Sequence, residues 1–287
     1  MSIKIEDLTY KYLLGTTFET IAIDNISFEM NDGEIVGVVG NNSSGKSTLV
    51  LLINGMLKPT RGKVYVDGVS VIENKSELAN IRKKIGVVFQ YPEYHLFQET
   101  VYKDIAFGAQ YSGFSDECIL KSVKYSMQLV DLRYEEYKEK CPFELSRGEM
   151  RRVAIAGALI MKPKVLILDE PTVGLDPKEK RDILEQIKKL YEKEKISIIF
   201  VSHSIEEIAE FADRLIVLDK GKIILNGTPK EILKEVEIIE EVGVVVPQAT
   251  YLMRELRKRG IDVRDDIMIM QQAISEILRV LIGDDKL

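Results

Sequence analysis

The eight residues Gly40-Asn41-Asn42-Ser43-Ser44-Gly45-Lys46-Ser47 constrain this chain more than any other stretch. They fit the spacing G-x-x-x-x-G-K-[ST] and directly follow the apolar run Ile35-Val36-Gly37-Val38-Val39. Such a run reads as a strand buried on both faces. Glycines at both ends let the loop curl until backbone N–H groups point inward, and a helix opening at Lys46 turns its positive end toward the same point. The ligand this suits is a nucleoside triphosphate, read as Mg·ATP. Lys46 would hold the β- and γ-phosphates and Ser47 would ligand Mg²⁺. Ser43 stands at a position often glycine in such loops and takes some freedom from the turn. The bland alternative, a glycine turn ahead of an ordinary helix, requires neither the lysine nor the hydroxyl, and average composition produces the match in about one chain in a hundred of this length.

Two further apolar runs, Val165-Leu166-Ile167-Leu168 and Ile198-Ile199-Phe200-Val201, alternate with helical spacing. Between them Asp176-Pro177 reads as an N-cap and first-turn proline, with Ile183, Ile187, Leu190 and Tyr191 on one helix face. Strands separated by helices predict an α/β fold with a parallel sheet. Residues 3–30 alternate and are rich in β-branched side chains, so an antiparallel portion precedes that sheet, closed by the turn Asn31-Asp32-Gly33. Residues 93–162 carry a helical pattern with no convincing buried strand and read as an inserted helical subdomain. The main domain is therefore placed at 1–230 and a C-terminal appendage at 231–287. In the appendage Ala249, Leu252, Met253 and Leu256 share one helical face, and Ile267, Met270, Ile274, Ile277, Leu278 and Leu281 another. Amphipathicity alone fits packing on the main body and pairing with another chain equally well. Every motif lies upstream, so removal of the appendage is expected to spare nucleotide binding.

Asp169 and Glu170 close a buried strand at the end where ligands of parallel sheets collect. Unpaired charge there is costly, so the pair needs a cation or another partner. Asp169 would orient Mg²⁺ and Glu170 would accept a hydrogen bond from the attacking water. His203 follows the next apolar strand. A lone histidine is more often structural, and only its place beside the phosphate site favours a role at the γ-phosphate. His95, in Tyr91-Pro92-Glu93-Tyr94-His95, has no catalytic partner in sequence and reads as surface. Gln90 follows the strand-like Ile85-Gly86-Val87-Val88-Phe89, which by itself means little. Ser146 and Glu149 stand at capping-box spacing at the start of a helix, and a capped N-terminus can still bind phosphate.

Composition removes several function classes. The formal net charge of -6 argues mildly against duplex binding, which favours a basic face. Cys118 and Cys141 show neither metal-ligand spacing nor a disulfide framework. The start lacks a signal-peptide pattern, and no apolar segment approaches the roughly 20 residues that cross a bilayer. A membrane would be met through a partner.

In order, Gly40 to Thr48, Gln90, Leu145 to Glu149, Val165 to Glu170, Gly174-Leu175-Asp176 and His203 resemble the ATP-binding cassette (ABC) family over about the first 230 residues. The resemblance implies a P-loop NTPase cassette with a mixed sheet, the inserted helical subdomain and the small appendage. It also implies that Gly40, Asn41, Asn42, Ser43, Ser44, Gly45, Lys46, Ser47 and Thr48 cradle ATP, and that Tyr12 stacks on adenine, with Tyr10 the alternative. Ser47, Gln90 and Asp169 would hold Mg²⁺; Glu170, His203 and Gln90 would serve catalysis; Ser146 and Gly148 would reach ATP on a facing subunit. Within the family, Val88-Phe89-Gln90-Tyr91-Pro92-Glu93 and its continuation to Gly108 look like the ATPase of an energy-coupling-factor (ECF) transporter, closer to the second of its two paired ATPases. A cobalt and nickel branch is related. That likeness implies a motor for import of vitamins or transition-metal ions, peripheral at the cytoplasmic face of the membrane, with a C-terminal dimerisation appendage. Its partners would be a second cassette ATPase, in a heterodimer by preference over a homodimer, a transmembrane coupling subunit and a small substrate-binding membrane protein, and no nucleic acid. The departure is the signature, LSRGE where the family has LSGGQ, which bears on the facing subunit's ATP. A cassette ATPase of DNA repair or translation is the competing class, but those commonly need long coiled-coil insertions or two cassettes. A regulator without turnover is disfavoured by the intact Glu170 and His203.

Overall fold

The protein is represented by a computed structural model that describes residues 2–71 and 75–282. Strands β1 (Ile3–Tyr12) and β2 (Thr20–Met30) pair antiparallel, Ile3 against Met30 and Tyr12 against Thr20, which bears out the alternating pattern. Next, β3 (Ile35–Gly40) is buried at every position and runs through the loop into α1 (Lys46–Ile53). Strands β4 (Arg61–Val66) and β5 (Val69–Ser70) complete a four-stranded antiparallel sheet of order β2-β1-β4-β5. Helix α2 (Lys75–Lys84) then leads into β6 (Ile85–Val88).

The inserted stretch is helical as expected: α3 (Val101–Tyr111), α4 (Asp116–Leu129), α5 (Tyr134–Tyr137) and α6 (Arg147–Leu159). Thr100 and Ser115 cap the first two by accepting from the backbone N–H of Lys103 and Cys118. The chain returns to the sheet with β7 (Val165–Asp169), α7 (Pro177–Glu194) and β8 (Ser197–Ser202). Asp176 caps α7, its Oδ1 accepting from Lys178 N at 2.8 Å and Glu179 N at 2.9 Å. Two further strands, β9 (Arg214–Asp219) and β10 (Lys222–Gly227), finish a six-stranded sheet of order β10-β9-β3-β8-β7-β6. It is parallel from β9 to β6, and β10 adds an antiparallel edge.

That sheet is a wall between two cores, because successive residues of a strand point to opposite faces. Val36, Val38, Ile167 and Val201 pack against α1 and the antiparallel sheet. Ile35, Val39, Leu168 and Phe200 pack against the helical subdomain and α7. Apolar burial on both faces explains the near-continuous aliphatic runs.

After β10 come α8 (Pro229–Ile232) and α9 (Val236–Glu241), whose Ile232, Val236 and Ile239 join the main core together with Val244 and Val246. A separate small core begins at Ala249, where α10 (Gln248–Lys258) meets α11 (Met270–Ile282). The second apolar stripe expected from sequence divides. Ile267 precedes the helix; Ala273, Ile277 and Val280 face α10; Ile274, Leu278 and Leu281 are exposed. The apolar arc of α11 is wider than one contact needs, which is why a single-face reading merged two faces. Residues 283–287 of the appendage lie outside the described residues. Both cysteines are free, and no helix among the described residues is long and apolar enough to cross a membrane.

Candidate active site

Four parallel strands deliver their carboxyl ends side by side: β3 to the phosphate loop, β8 to His203, β7 to Asp169 and Glu170, and β6 to Gln90. The loop is built on close approaches. A Cβ on Gly40 would lie 2.4 Å from the Leu218 carbonyl oxygen, and one on Gly45, where φ is 108°, would lie 2.5 Å from that of Ala22. Only glycine fits either place. Ser43 takes φ 62°, a left-handed conformation that costs a non-glycine residue about 1–2 kcal/mol. Lys46 lies back along the loop, its Nζ donating to Gly40 O at 2.8 Å and Asn41 O at 2.9 Å. Burial lowers the lysine pKa, opposed by the charges of Glu170 and Asp169.

Above the loop is a cavity of about 380 Å³, walled by Tyr12, residues 42–48, Gln90 and Glu170. Tyr12 is half-exposed there and its hydroxyl is 3.2 Å from Thr48 Oγ1. Tyr10 stands behind it, ring edge to face with centroids 4.8 Å apart, and does not line the cavity. Of the two candidates for the adenine, Tyr12 has the reachable face.

Asp169 is 3 % exposed and its Oδ1 has no hydrogen-bond partner. Burial raises its pKa, opposed by a hydrogen bond from Ser47. An orphaned carboxylate oxygen beside a serine hydroxyl is a donor set that suits a small divalent cation. Among the described residues no cluster of three or more His, Cys, Asp or Glu converges as a metal site, so phosphate oxygens and water would complete the shell, as Mg²⁺ prefers. Glu170 is also buried, holds φ 50°, and its Oε2 lies 2.8 Å from His203 Nδ1. Two of the three predicted catalytic groups, Glu170 and His203, thus meet directly, and Gln90 lines the same cavity.

Two groups that support the site escaped the sequence reading. Glu207 is buried; its Oε2 accepts from Thr172 Oγ1 at 2.7 Å and Ser202 Oγ at 2.8 Å, and its Oε1 is ion-paired with Lys180. One carboxylate therefore ties the loop after Glu170 to the residue before His203. Arg151 is fully buried on α6 and reaches the carbonyls of Glu170, Pro171 and Val173 as well as Glu93. It joins the signature helix to the segment after Gln90. Buried charge survives only with such partners.

The structure does not bring Ser146 and Gly148 to this chain's own cavity. Ser146 caps α6, and Glu149 completes the capping box while also accepting from Tyr137 Oη at 2.7 Å. Gly148 is buried, and a Cβ on it would lie 2.9 Å from Glu179 Oε1. Arg147 is exposed. His95 is at the surface, edge-on to Phe89.

Residues 23–173 match a family model described as ABC transporter. Over 281 residues the chain is 52% identical to the energy-coupling factor transporter ATP-binding protein EcfA2 of Clostridium perfringens, covering 98% of this chain and 99% of that one. The solved structure of cbiO1 from the same species, part of the ABC transporter complex cbiONQ, aligns with a TM-score of 0.74 at 37% identity, over 88% of this chain and 98% of its own. A dimeric post-hydrolysis state of the ATP-binding cassette MJ0796, bound to ADP and Pi, aligns at 0.71 and 30%, over 79% and 98%. With half of its length inside the family model and near-complete coverage by a relative at 52% identity, this chain belongs to the ABC transporter family of ATP-hydrolysing cassettes.

Proposed function

We propose that the chain is the ATP-hydrolysing motor subunit of an ECF-type importer, acting from the cytoplasmic face of the membrane on uptake of vitamins or transition-metal ions. The observation that carries the chemistry is the 2.8 Å contact between His203 Nδ1 and Glu170 Oε2 at the rim of a phosphate loop. Lys46 and the loop N–H groups bind the phosphates, and Tyr12 offers a face to the base. Glu170 accepts a hydrogen bond from water and so orients it, while His203 holds that carboxylate and leaves its other ring nitrogen for the γ-phosphate. Magnesium arriving with ATP would neutralise phosphate charge, with Ser47 and Asp169 as its protein ligands and Gln90 as a third.

The transport reading rests on the likeness to EcfA2 along nearly the whole chain, appendage included. Ser146 and Gly148, remote from this chain's own cavity, complete the site of a second cassette subunit, a heterodimer by preference. A groove of about 470 Å³ between the segment after Gln90 and α6, with Phe89, Leu96, Phe97 and Phe107 in its walls, is the place for a transmembrane coupling subunit. That subunit in turn carries the small substrate-binding membrane protein. The core memberships favour an appendage beginning near Pro247 rather than at 231.

Glu170→Gln tests the chemistry. Replacing the carboxylate with an amide, a weaker and non-basic acceptor, should lower turnover about 100-fold or more, with Mg·ATP binding retained, since general-base contributions run to about 10²–10⁴. Turnover within a few-fold of the parent removes Glu170 from the mechanism.

A further inference from the structure

Residues 243–246, between α9 and α10, lie against the nucleotide site although sequence places them in the appendage. Gly243 has φ 73°, and a Cβ on it would lie 2.7 Å from Asn41 Nδ2 in the phosphate loop. Val244 and Val246 are buried in the main core. Val245, between them, is 62 % exposed and forms a parallel β-bridge with Ser204, the residue after His203. Asn41, approached by Gly243, and Ser204, bridged by Val245, are both already tied to the chemistry. Asn41 Oδ1 accepts from Asn42 N at 2.7 Å, and Asn41 O accepts from Lys46 Nζ. Ser204 N donates to Ser202 Oγ at 3.0 Å, beside the Glu207 network.

We propose that residues 243–246 form a strap that positions the nucleotide site, Gly243 setting the Asn41 side chain and Val245 setting the turn that carries His203. The inference rests on the loop being the nucleotide site. A side chain at 243 must push the Asn41 amide aside. The same amide's Oδ1 accepts from Asn42 N, so its displacement loads the loop beside the Asn41 carbonyl that receives the Lys46 ammonium. The strap runs directly into α10, so docking of the appendage and geometry of the phosphate loop share one segment. On this proposal, residues after 230 contribute to nucleotide binding, against the expectation from sequence.

The test compares glycine variants of the full chain by titration with Mg·ATP. Gly260 has φ 83° and nothing within 4 Å of an added Cβ, so Gly260→Ala carries similar backbone strain without the contact. Gly243→Ala should weaken ATP binding about 5- to 10-fold and Gly260→Ala less than about twofold. In an Asn41→Ala background, Gly243→Ala should add less than about twofold, because the displaced group is gone. Equal shifts in the two glycine variants, no shift in Gly243→Ala, or an undiminished shift without the Asn41 side chain would each overturn the strap. A parent chain that fails to bind ATP defeats the nucleotide reading instead, so the two failures are distinguishable. If Gly243→Ala is not recovered folded, Val246→Ala loosens the strap from the core and is followed by amide hydrogen exchange. Faster exchange at residues 41–44 and 203–204 than in the parent is expected, and unchanged exchange there overturns the proposal.

Discussion

Asp169 carries a charge where the fold alone would not place one. Its folded pKa is raised, chiefly by burial, so the native state holds the proton more tightly than the unfolded chain. Stability is therefore lost as pH rises from the ordinary carboxylate value through the raised one. Asp169→Asn should stabilise the nucleotide-free protein at neutral pH, with the gain shrinking as pH falls through the ordinary carboxylate range. The same variant should lose most of the thermal shift that Mg·ATP gives the parent. Calorimetry with and without nucleotide reads both effects, and a nucleotide-free variant less stable than the parent contradicts the account. Much at this scale was legible in sequence: the loop glycines, Lys46, the two carboxylates and His203 stand where strand ends were expected. Glu207 and Arg151 were not, because the contacts that tie them to the site span long stretches of sequence: Glu207 to Thr172, and Arg151 to Glu93. Local spacing carries no trace of such pairs.

Helix α6 shows how an element absorbs a departure in its own signature. Glu149 points back into the capping box and toward Tyr137; burial would raise its pKa, but these hydrogen bonds bring the net shift down. It is thus held as a carboxylate at a helix N-terminus, a favourable place for negative charge. Arg147, one position past the cap, is exposed on the surface that would face a partner's ATP. With this chain's own site silenced by Glu170→Gln, Arg147→Gly should change residual turnover of the paired cassettes about tenfold, or about 1.4 kcal/mol of barrier, and Glu149→Gln much less. A larger effect from Glu149→Gln sinks this reading. At the element scale the caps at Asp176 and Ser146 were readable because they are local. Strands β9 and β10 went unread although Leu215-Ile216-Val217-Leu218 is an apolar run like the others. No motif drew attention to that run.

On the scale of the molecule, α11 leaves Ile274, Leu278 and Leu281 exposed beside the face buried against α10, the last of them 75 % exposed. If that face pairs two appendages, Ile274→Glu should shift a sedimentation profile toward monomer. The stability of the monomer should stay within about 0.5 kcal/mol, since the side chain is already half in water. Unchanged pairing assigns the face another role. The small core of the appendage was foreseeable from its helical stripes, but the placement of Ile232, Val236, Ile239, Val244 and Val246 in the main core was not, since only tertiary contact separates the two. The strand order carries a mechanical consequence. Strands β3, β8 and β7 each have neighbours on both sides, whereas β6 is a border strand held by β7 alone through Ile85 to Val88. Stiffness therefore falls along the carboxyl edge from the phosphate loop toward Gln90. The groups that face the phosphate loop stand on the rigid part of that gradient, and the glutamine, next to the groove proposed for a membrane partner, stands where the sheet yields most easily to a push.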